Sequence, residues 1–463
     1  MADGCRLSSD VFDVLKSTYQ PLRPAISEEE LYHRISVTLS TPPQLSVLRV
    51  NTLNSTISKA KQQLGKLLDR QNEESGLNLV CENHKHIPDI LVTSSNGKQK
   101  DILPNAKEVI VDELCGAAIL RGADVFACGV LGTPPELVKG EVVSVYADLD
   151  GLCKKGFKKH YDGQKYFVGN GIVILARNEI FKKIQPRGVA VKMNNQRYAH
   201  PSFAPLDPLI FFPQNLPSTL VAHNLEPSQG DIILDMCAAP GGKTSHAAML
   251  MGNVGRIFAI DKSKSKVKKL EEMCHRLNWS CVRCFAADST KLCDVSPSSE
   301  GIPREDQHPP FQTEVFDKII LDPPCSALGQ RPQLQCKTTK SELASFAVYQ
   351  KKIFHQAVKL LKPGGTLIYS TCTLNVDENE NQIAWALETF PELNLIPQKL
   401  HLGGTGIAGH NLSEEHCLLV QRFDPCLISI TKDCFKSEDF LSVNKDTIGF
   451  FIAKFIKSDD ITC

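Results

Sequence analysis

At 463 residues the chain is long enough for two or three domains with a large core. Basic and acidic side chains number 52 each, so the net charge is zero; no charged tail dominates, and a local basic patch stays open as a reading. Seventeen cysteines, scattered and odd in number, argue against a disulfide scaffold, and no apolar signal core or run of about 18 apolar residues appears, so the sequence predicts a soluble cytoplasmic protein with no membrane association.

The N-terminal stretch reads as two helices. Ser27-x-x-Glu30 is a capping box, Leu31, Ile35 and Leu39 follow at helical spacing, and Thr41-Pro42-Pro43 ends the run. Residues 45–52 read as a strand, and Ile57, Ala60, Leu64, Leu67 and Leu68 mark an amphipathic helix behind it. Arg49 on that strand reads as a solvated residue, with an RNA contact as the alternative. From 102 to 197 the character changes to short strands and glycine turns, which predict a compact β-barrel. Leu120-Arg121-Gly122-Ala123-x-Val125, with the later Val168-Gly169-Asn170-Gly171, resembles a PUA domain, a small pseudo-barrel that binds structured RNA. That resemblance makes Arg121 and Asn170 RNA-contact candidates. Lys154, Lys155, Lys158, Lys159 and His160 form a charge run that in isolation is a solvated face; inside a PUA-like barrel it becomes a phosphate contact. Residues 188–192 and Phe211-Phe212 are expected to return the chain to the N-terminal subdomain, leaving the barrel as an insertion.

Ile232-Ile233-Leu234 is a short β-branched burst, and Ser245 onward is helix-forming. Between them lies Asp235-Met236-Cys237-Ala238-Ala239-Pro240-Gly241-Gly242-Lys243-Thr244, a tight turn into a helix N-terminus. Glycines allow close backbone approach, and the free N–H groups of the helix end favour an anionic ligand group. A P-loop would need glycine where Cys237 stands, and the dinucleotide glycine spacing is absent. Asp261 ends a second predicted strand about 20 residues on, where α/β nucleotide sites hold a ribose, and Asp288 ends a third. A polar stretch from 296 to about 312 reads as a poorly ordered surface loop. Strand 318–321, the turn Lys362-Pro363-Gly364-Gly365, strand 366–370, helix 378–387 and an edge strand at 448–455 complete an alternating pattern.

The stretch from Asp235 to Thr244, followed by Asp322-Pro323-Pro324-Cys325 and Ser370-Thr371-Cys372, resembles the Sun (Nop/Sun-type) family of RNA cytosine-5 methyltransferases. Gln214-Asn215-Leu216-Pro217-Ser218 and Ile448-Gly449-Phe450-Phe451 extend the likeness from about Phe211 to the end of the chain. The resemblance implies an α/β fold: a Rossmann-like S-adenosylmethionine-dependent methyltransferase domain over 198–463, an N-terminal helical and RNA-recognition-like region over 1–101, and an inserted PUA-like barrel over 102–197. Arg49-Val50-Asn51-Thr52 is similar to the start of that RNA-recognition-like subdomain.

Carbon 5 of cytosine is a poor nucleophile until a thiolate adds at carbon 6, so this chemistry asks for an activated cysteine and a hydrogen-bonding group at ring N3. By resemblance Cys372 is the nucleophile, Cys325 assists product release and Asp322 faces N3. Cys237, Ala238, Ala239, Pro240, Gly241, Gly242 and Lys243 form the cofactor loop, Asp261 holds the ribose and Asp288 lies beside adenine, with Asp322 at the border of both sites. Lys243 reaches either the substrate or the loop backbone, and Arg331 holds an RNA phosphate or caps its loop. Ser326-Ala327 departs from the family's more common Ser-Gly. The implied substrate is tRNA at the acceptor region and 3′ end, with messenger RNA left open, handled by a monomer with no obligate protein partner. Cys281-x-x-Cys284 lacks a second close pair and lies on a predicted strand, so no metal is expected. The rivals are a DNA cytosine methyltransferase, a P-loop NTPase and a non-catalytic RNA-binding factor on the same fold.

Overall fold

A computed structural model describes residues 4–95, 102–182, 187–198, 200–294, 307–431 and 446–459. Of the segment read as a surface loop, 295–306 lies outside the described residues. Among the described residues no helix is long and apolar enough to cross a membrane.

The C-terminal half is built on one sheet. Its strands lie in the order Val282–Ala286, Arg256–Asp261, Ile232–Asp235, Phe316–Leu321, Leu361–Thr371, Phe450–Lys457 and Leu393–Leu395, and Gln421–Phe423 also pairs with Phe450–Lys457. The first five run parallel, and Phe450–Lys457 is antiparallel to its neighbours. Alternate side chains feed two cores, one on each face. Ile232, Leu234, Phe258 and Ile260 pack to one side, Ile233, Ile257 and Ala259 to the other. Strand order reverses between Ile232–Asp235 and Phe316–Leu321, and at such a switch point the loops leaving two adjacent strands part to open a crevice. Both loops carry family motifs.

The terminal strand is not at the edge, as its position in the sequence had implied. Phe450–Lys457 is almost wholly buried and takes partners on both sides, because an apolar strand left at an edge would expose an unpaired backbone ladder.

Ahead of this domain lies a four-stranded antiparallel sheet in the order Phe211–Pro213, Leu45–Val50, Ile90–Ser95, Leu79–Asn83, backed by helix Ile57–Ser75. Phe211 pairs with Val50, so the chain does come back to this sheet after the intervening residues. The segment 188–192 does not: Val189–Gln196 belongs to a separate six-stranded sheet in the order Val125–Phe126, Val189–Gln196, Lys165–Val173, Val142–Asp148, Glu108–Val111, Val130–Gly132. Its end strands do not pair with each other, so the described strands form an open sheet where a barrel was expected. At the N-terminus Ser27 Oγ accepts the Glu30 N–H and starts helix Glu28–Ser40, which buries Leu31, Ile35 and Leu39. Those side chains and helix Ser9–Tyr19 pack against Leu328, Leu343, Leu374 and Ile430 of the distant C-terminal half.

Candidate active site

The cradle begins where Ile232–Asp235 ends. Gly241 has φ 104, and a Cβ there would come within 2.5 Å of Leu270 and Met273 side chains, so only glycine makes the turn into helix Gly242–Leu250. Thr244 Oγ1 donates to Asp235 Oδ2 at 2.6 Å, while Asp235 Oδ1 is buried without a partner. Burial pushes the Asp235 pKa up to about 7. Arg49, expected to be solvated, is buried and bolts this helix down. It donates to Gly242 O at 2.7 Å, Ser245 Oγ at 2.7 Å and Gln214 Oε1 at 2.9 Å, with its guanidinium stacked 4.6 Å from the Phe212 ring centre. An arginine pointing from one subdomain into a polar pocket of another looks, in sequence, like any strand residue.

Asp261 Oδ1 accepts the Ser263 N–H at 2.9 Å, and among the described residues no side chain takes its second oxygen. That is the arrangement a ribose diol needs. Asp288 Oδ1 accepts from Thr290 N–H at 3.0 Å and Oδ2 pairs with Lys262 at 3.1 Å. Glycine turn, helix N-terminus and two strand-end carboxylates together fit S-adenosylmethionine: N–H groups for its carboxylate end, acids for its ribose end. Cys237 belongs to the wall of this cradle, and burial and nearby carboxylates hold its thiol well above the usual range.

Beside the cradle the two family cysteines meet, with Cys325 Sγ and Cys372 Sγ 3.4 Å apart. The Cys325 thiol donating to Cys372 is the main cause that holds the Cys372 pKa below the ordinary thiol value; Gln330 and Lys243 add to it against burial and Asp322. Cys325 is held correspondingly high by the same bond and by burial. Leu321 and Tyr369 are register partners, which sets Asp322 opposite Ser370, and Ser370 Oγ donates to Asp322 Oδ1 at 2.7 Å. Lys243 Nζ reaches the other oxygen, Oδ2, at 2.6 Å. Burial works to lower the Lys243 pKa, but the Asp322 carboxylate outweighs it and the net shift is upward. The Lys243 side chain thus reaches the Asp322 carboxylate rather than its own loop. Ala327 has φ 56, a left-handed conformation that suits the glycine more common in the family.

Other candidates separate. Lys154, Lys155, Lys158 and Lys159 are exposed, with Lys155 Nζ 3.4 Å from Cys128 O. Arg121 lines a cavity of about 400 Å³ together with Ser46, His200, Gln214, Gln330 and Arg331. Asn170 is not available to RNA: it is buried, its Oδ1 accepting from Ser144 Oγ at 2.7 Å and its Nδ2 donating to Leu103 O at 2.9 Å. Arg331 is likewise occupied inside, donating to Thr38 O, Thr41 O, Asp446 Oδ1 and Thr447 O at 2.7–2.9 Å. Its role is to close the end of helix Glu28–Ser40 rather than to hold a phosphate.

Asp89, His223 and His246, which no motif marked, bring ligating atoms within 4.8 Å of one another. Each histidine Nε2 lies 2.8 Å from a different oxygen of Asp89, tying the four-stranded sheet to helices Leu216–Leu225 and Gly242–Leu250. His246 Nδ1 has no partner, so nothing would orient a metal-bearing ring, and the Arg49 charge opposes a further cation. The trio is a carboxylate clamp under the cradle.

The family model described as 16S rRNA methyltransferase RsmB/F matches residues 222–456. The Mus musculus protein named tRNA (cytosine(72)-C(5))-methyltransferase NSUN6 is 43% identical over 437 residues, covering 93% of this chain and 90% of that protein. The Homo sapiens protein of the same name is 43% identical over 429 residues, covering 90% of each. The crystal structure of NSun6 from Pyrococcus horikoshii with SFG, an S-adenosylmethionine analogue, matches with a TM-score of 0.73 at 30% identity, covering 98% of this chain and 99% of that one. Identity at this level over nearly the full length, with the family model spanning the sheet that carries the paired cysteines, means that this chain belongs to the Sun (Nop/Sun-type) family of S-adenosylmethionine-dependent RNA cytosine-5 methyltransferases.

Proposed function

We propose that the chain methylates carbon 5 of a cytosine at the 3′ end of the tRNA acceptor stem, with messenger RNA as a second substrate class, through a covalent adduct on Cys372. The observation that carries this reading is the pair of sulfurs 3.4 Å apart with the Lys243–Asp322 ion pair beside them. Cys372 thiolate adds to carbon 6 of the ring, and the displaced π electrons move through carbon 4 to N3. As charge arrives, N3 takes up a proton from water, and that N–H donates to the Asp322 carboxylate, whose own charge Lys243 balances. Carbon 5 then has the electron density of an enamine. S-adenosylmethionine supplies an electrophilic methyl group to it. The carbon-5 proton passes to water as the Cys372 thiolate departs, N3 gives up its proton, and the aromatic ring is restored, with Cys325 assisting that release.

The tRNA assignment rests on the names of the mouse, human and Pyrococcus horikoshii relatives, each matched over most of its length. We read the six-stranded sheet as a PUA-like module and the four-stranded sheet as an RNA-recognition-like subdomain. The exposed lysines 154, 155, 158 and 159 then contact phosphates, and Arg121 shares a cavity with Gln330. The described cysteines are all free, which suits a monomer working in the cytoplasm. Bisulfite mapping of tRNA incubated with the purified protein and S-adenosylmethionine tests the proposal. A single new 5-methylcytosine at the acceptor end is the expected result; methylation confined to other positions overturns the substrate reading.

A further inference from the structure

Behind the two cysteines lies a carboxylate that the chemistry above does not use. Glu378 closes the short helix Val376–Glu378 and is fully buried. Its Oε1 accepts from Ser326 Oγ at 2.5 Å and Asn375 Nδ2 at 3.1 Å; its Oε2 accepts from Ser326 N–H at 3.0 Å and Gln350 Nε2 at 2.8 Å. The donors come from both cysteine-bearing loops and from helix Lys340–Leu360. Ser326 follows Cys325, and its Oγ lies 2.7 Å from Thr373 Oγ1, which follows Cys372. Gln350 Nε2 also donates to Pro324 O at 3.0 Å, so the backbone is held on both sides of Cys325.

The polarity of this network is fixed from outside. The Pro324 carbonyl only accepts, so the Gln350 NH₂ end must face it, while the single Tyr369 hydroxyl proton goes to Glu378 O at 2.7 Å; Asn375 Oδ1 accepts from the Asp377 N–H at 3.1 Å. Both amides must therefore present their NH₂ ends to Glu378. Each carboxylate oxygen receives two donors, so only a group that accepts at both ends satisfies the site. A glutamine in its place would set an NH₂ against two donors at the Oε2 end or against the Asn375 NH₂ at the Oε1 end, and an aspartate is one methylene too short.

We propose that Glu378 is a positioning residue that sets the separation of the Cys325 and Cys372 sulfurs and keeps Cys325 as the donor and Cys372 as the attacking atom. The proposal rests on the covalent reading given above. A negative charge behind Cys325 raises the cost of ionising it, which agrees with the high Cys325 pKa, to which Glu378 contributes after the Cys372 bond and burial.

The test uses the full chain, a tRNA transcript and S-adenosylmethionine. Cys325→Ala should trap a covalent protein–RNA band on a denaturing gel. Adding Glu378→Gln should slow formation of that band about tenfold or more, because a misplaced nucleophile loses its near-attack geometry. Affinity for S-adenosylmethionine, read by calorimetry, should change less than about twofold, since the lost contacts lie outside the cradle. With Cys325 present, Glu378→Gln should lower kcat and leave KM for tRNA unchanged. Ser326→Ala, which removes one donor and the link to Thr373, should slow the band in the same direction by less. It decides the matter if Glu378→Gln fails to bind cofactor: a slower band supports the proposal, an unchanged one overturns it. A band that forms equally fast with glutamine at 378, or a raised KM with kcat unchanged, overturns it as well. A Cys325→Ala chain that methylates but traps no adduct overturns the covalent reading itself.

Discussion

Two residues beside the paired sulfurs invite substitution. Lys243 is the only cation within hydrogen-bond distance of Asp322 among the described residues, and the pair is only partly open to water. Lys243→Met leaves the carboxylate in place without its counter-charge, and losing one such oriented charge costs about 100-fold in kcat. Single-turnover methyl transfer measures this, and an unchanged rate would remove Lys243 from the chemistry. Ala327 makes the opposite case. A non-glycine residue at φ 56 carries a strain of about 1 kcal/mol, so Ala327→Gly should raise unfolding free energy by about that amount and leave cofactor affinity unchanged. Urea denaturation beside calorimetry separates the two quantities. The sequence showed the departure at this position and its direction, but not its size, because the backbone angle is set by how the loop turns after Cys325.

At the scale of elements, the cradle helix is held from below by two partners from another sheet, Arg49 and Asp89. Arg49 uses both terminal nitrogens in a fixed fork, which lysine cannot reproduce, so Arg49→Lys should weaken S-adenosylmethionine binding about tenfold in a titration. His246 gives this joint a pH dependence. Burial first, then the Arg49 charge, holds its pKa down to about 3 in the folded chain. An unfolded histidine titrates near 6.5, so between those values the unfolded chain binds one proton more and stability falls as pH falls, by about 1.4 kcal/mol per pH unit. Asp235, raised to about 7, pulls the other way across much of the same range, which makes the absolute profile a poor reporter. The difference between wild type and His246→Gln is the clean quantity, and it should shrink by about 2 kcal/mol between pH 7 and pH 5 in urea unfolding. Strands ending on Asp235, Asp261 and Asp322 were legible because apolar bursts and terminal acids are local signals. Arg49 and Asn170 were misread, and Arg331 was left open between a phosphate and its loop, for the converse reason. Their partners lie from 26 to nearly 300 residues away in the chain, and a polar side chain carries no local mark of whether it faces water or a distant carbonyl.

For the whole molecule, the reading of the lysine run as an RNA surface is testable apart from the chemistry. Changing Lys154, Lys155, Lys158 and Lys159 to alanine should weaken tRNA binding and flatten the slope of log affinity against log salt by about 0.7–0.9 for each phosphate contact removed, with cofactor affinity untouched. A slope that does not move would return the run to a solvated face. The architecture also has a consequence in time. Tyr19 donates to Asp424, 405 residues later, and its helix buries Leu15 among side chains that include Leu374 and Ile430. A ribosome adds about 5–20 residues per second, so the apolar face of helix Ser9–Tyr19 waits roughly 20–80 s for its partners to emerge. Through that interval the first helices of the nascent chain are exposed ligands for a trigger-type chaperone. Synthesis in a translation extract stripped of chaperones should therefore yield more aggregate from the intact chain than from one with polar residues at Val11 and Leu15.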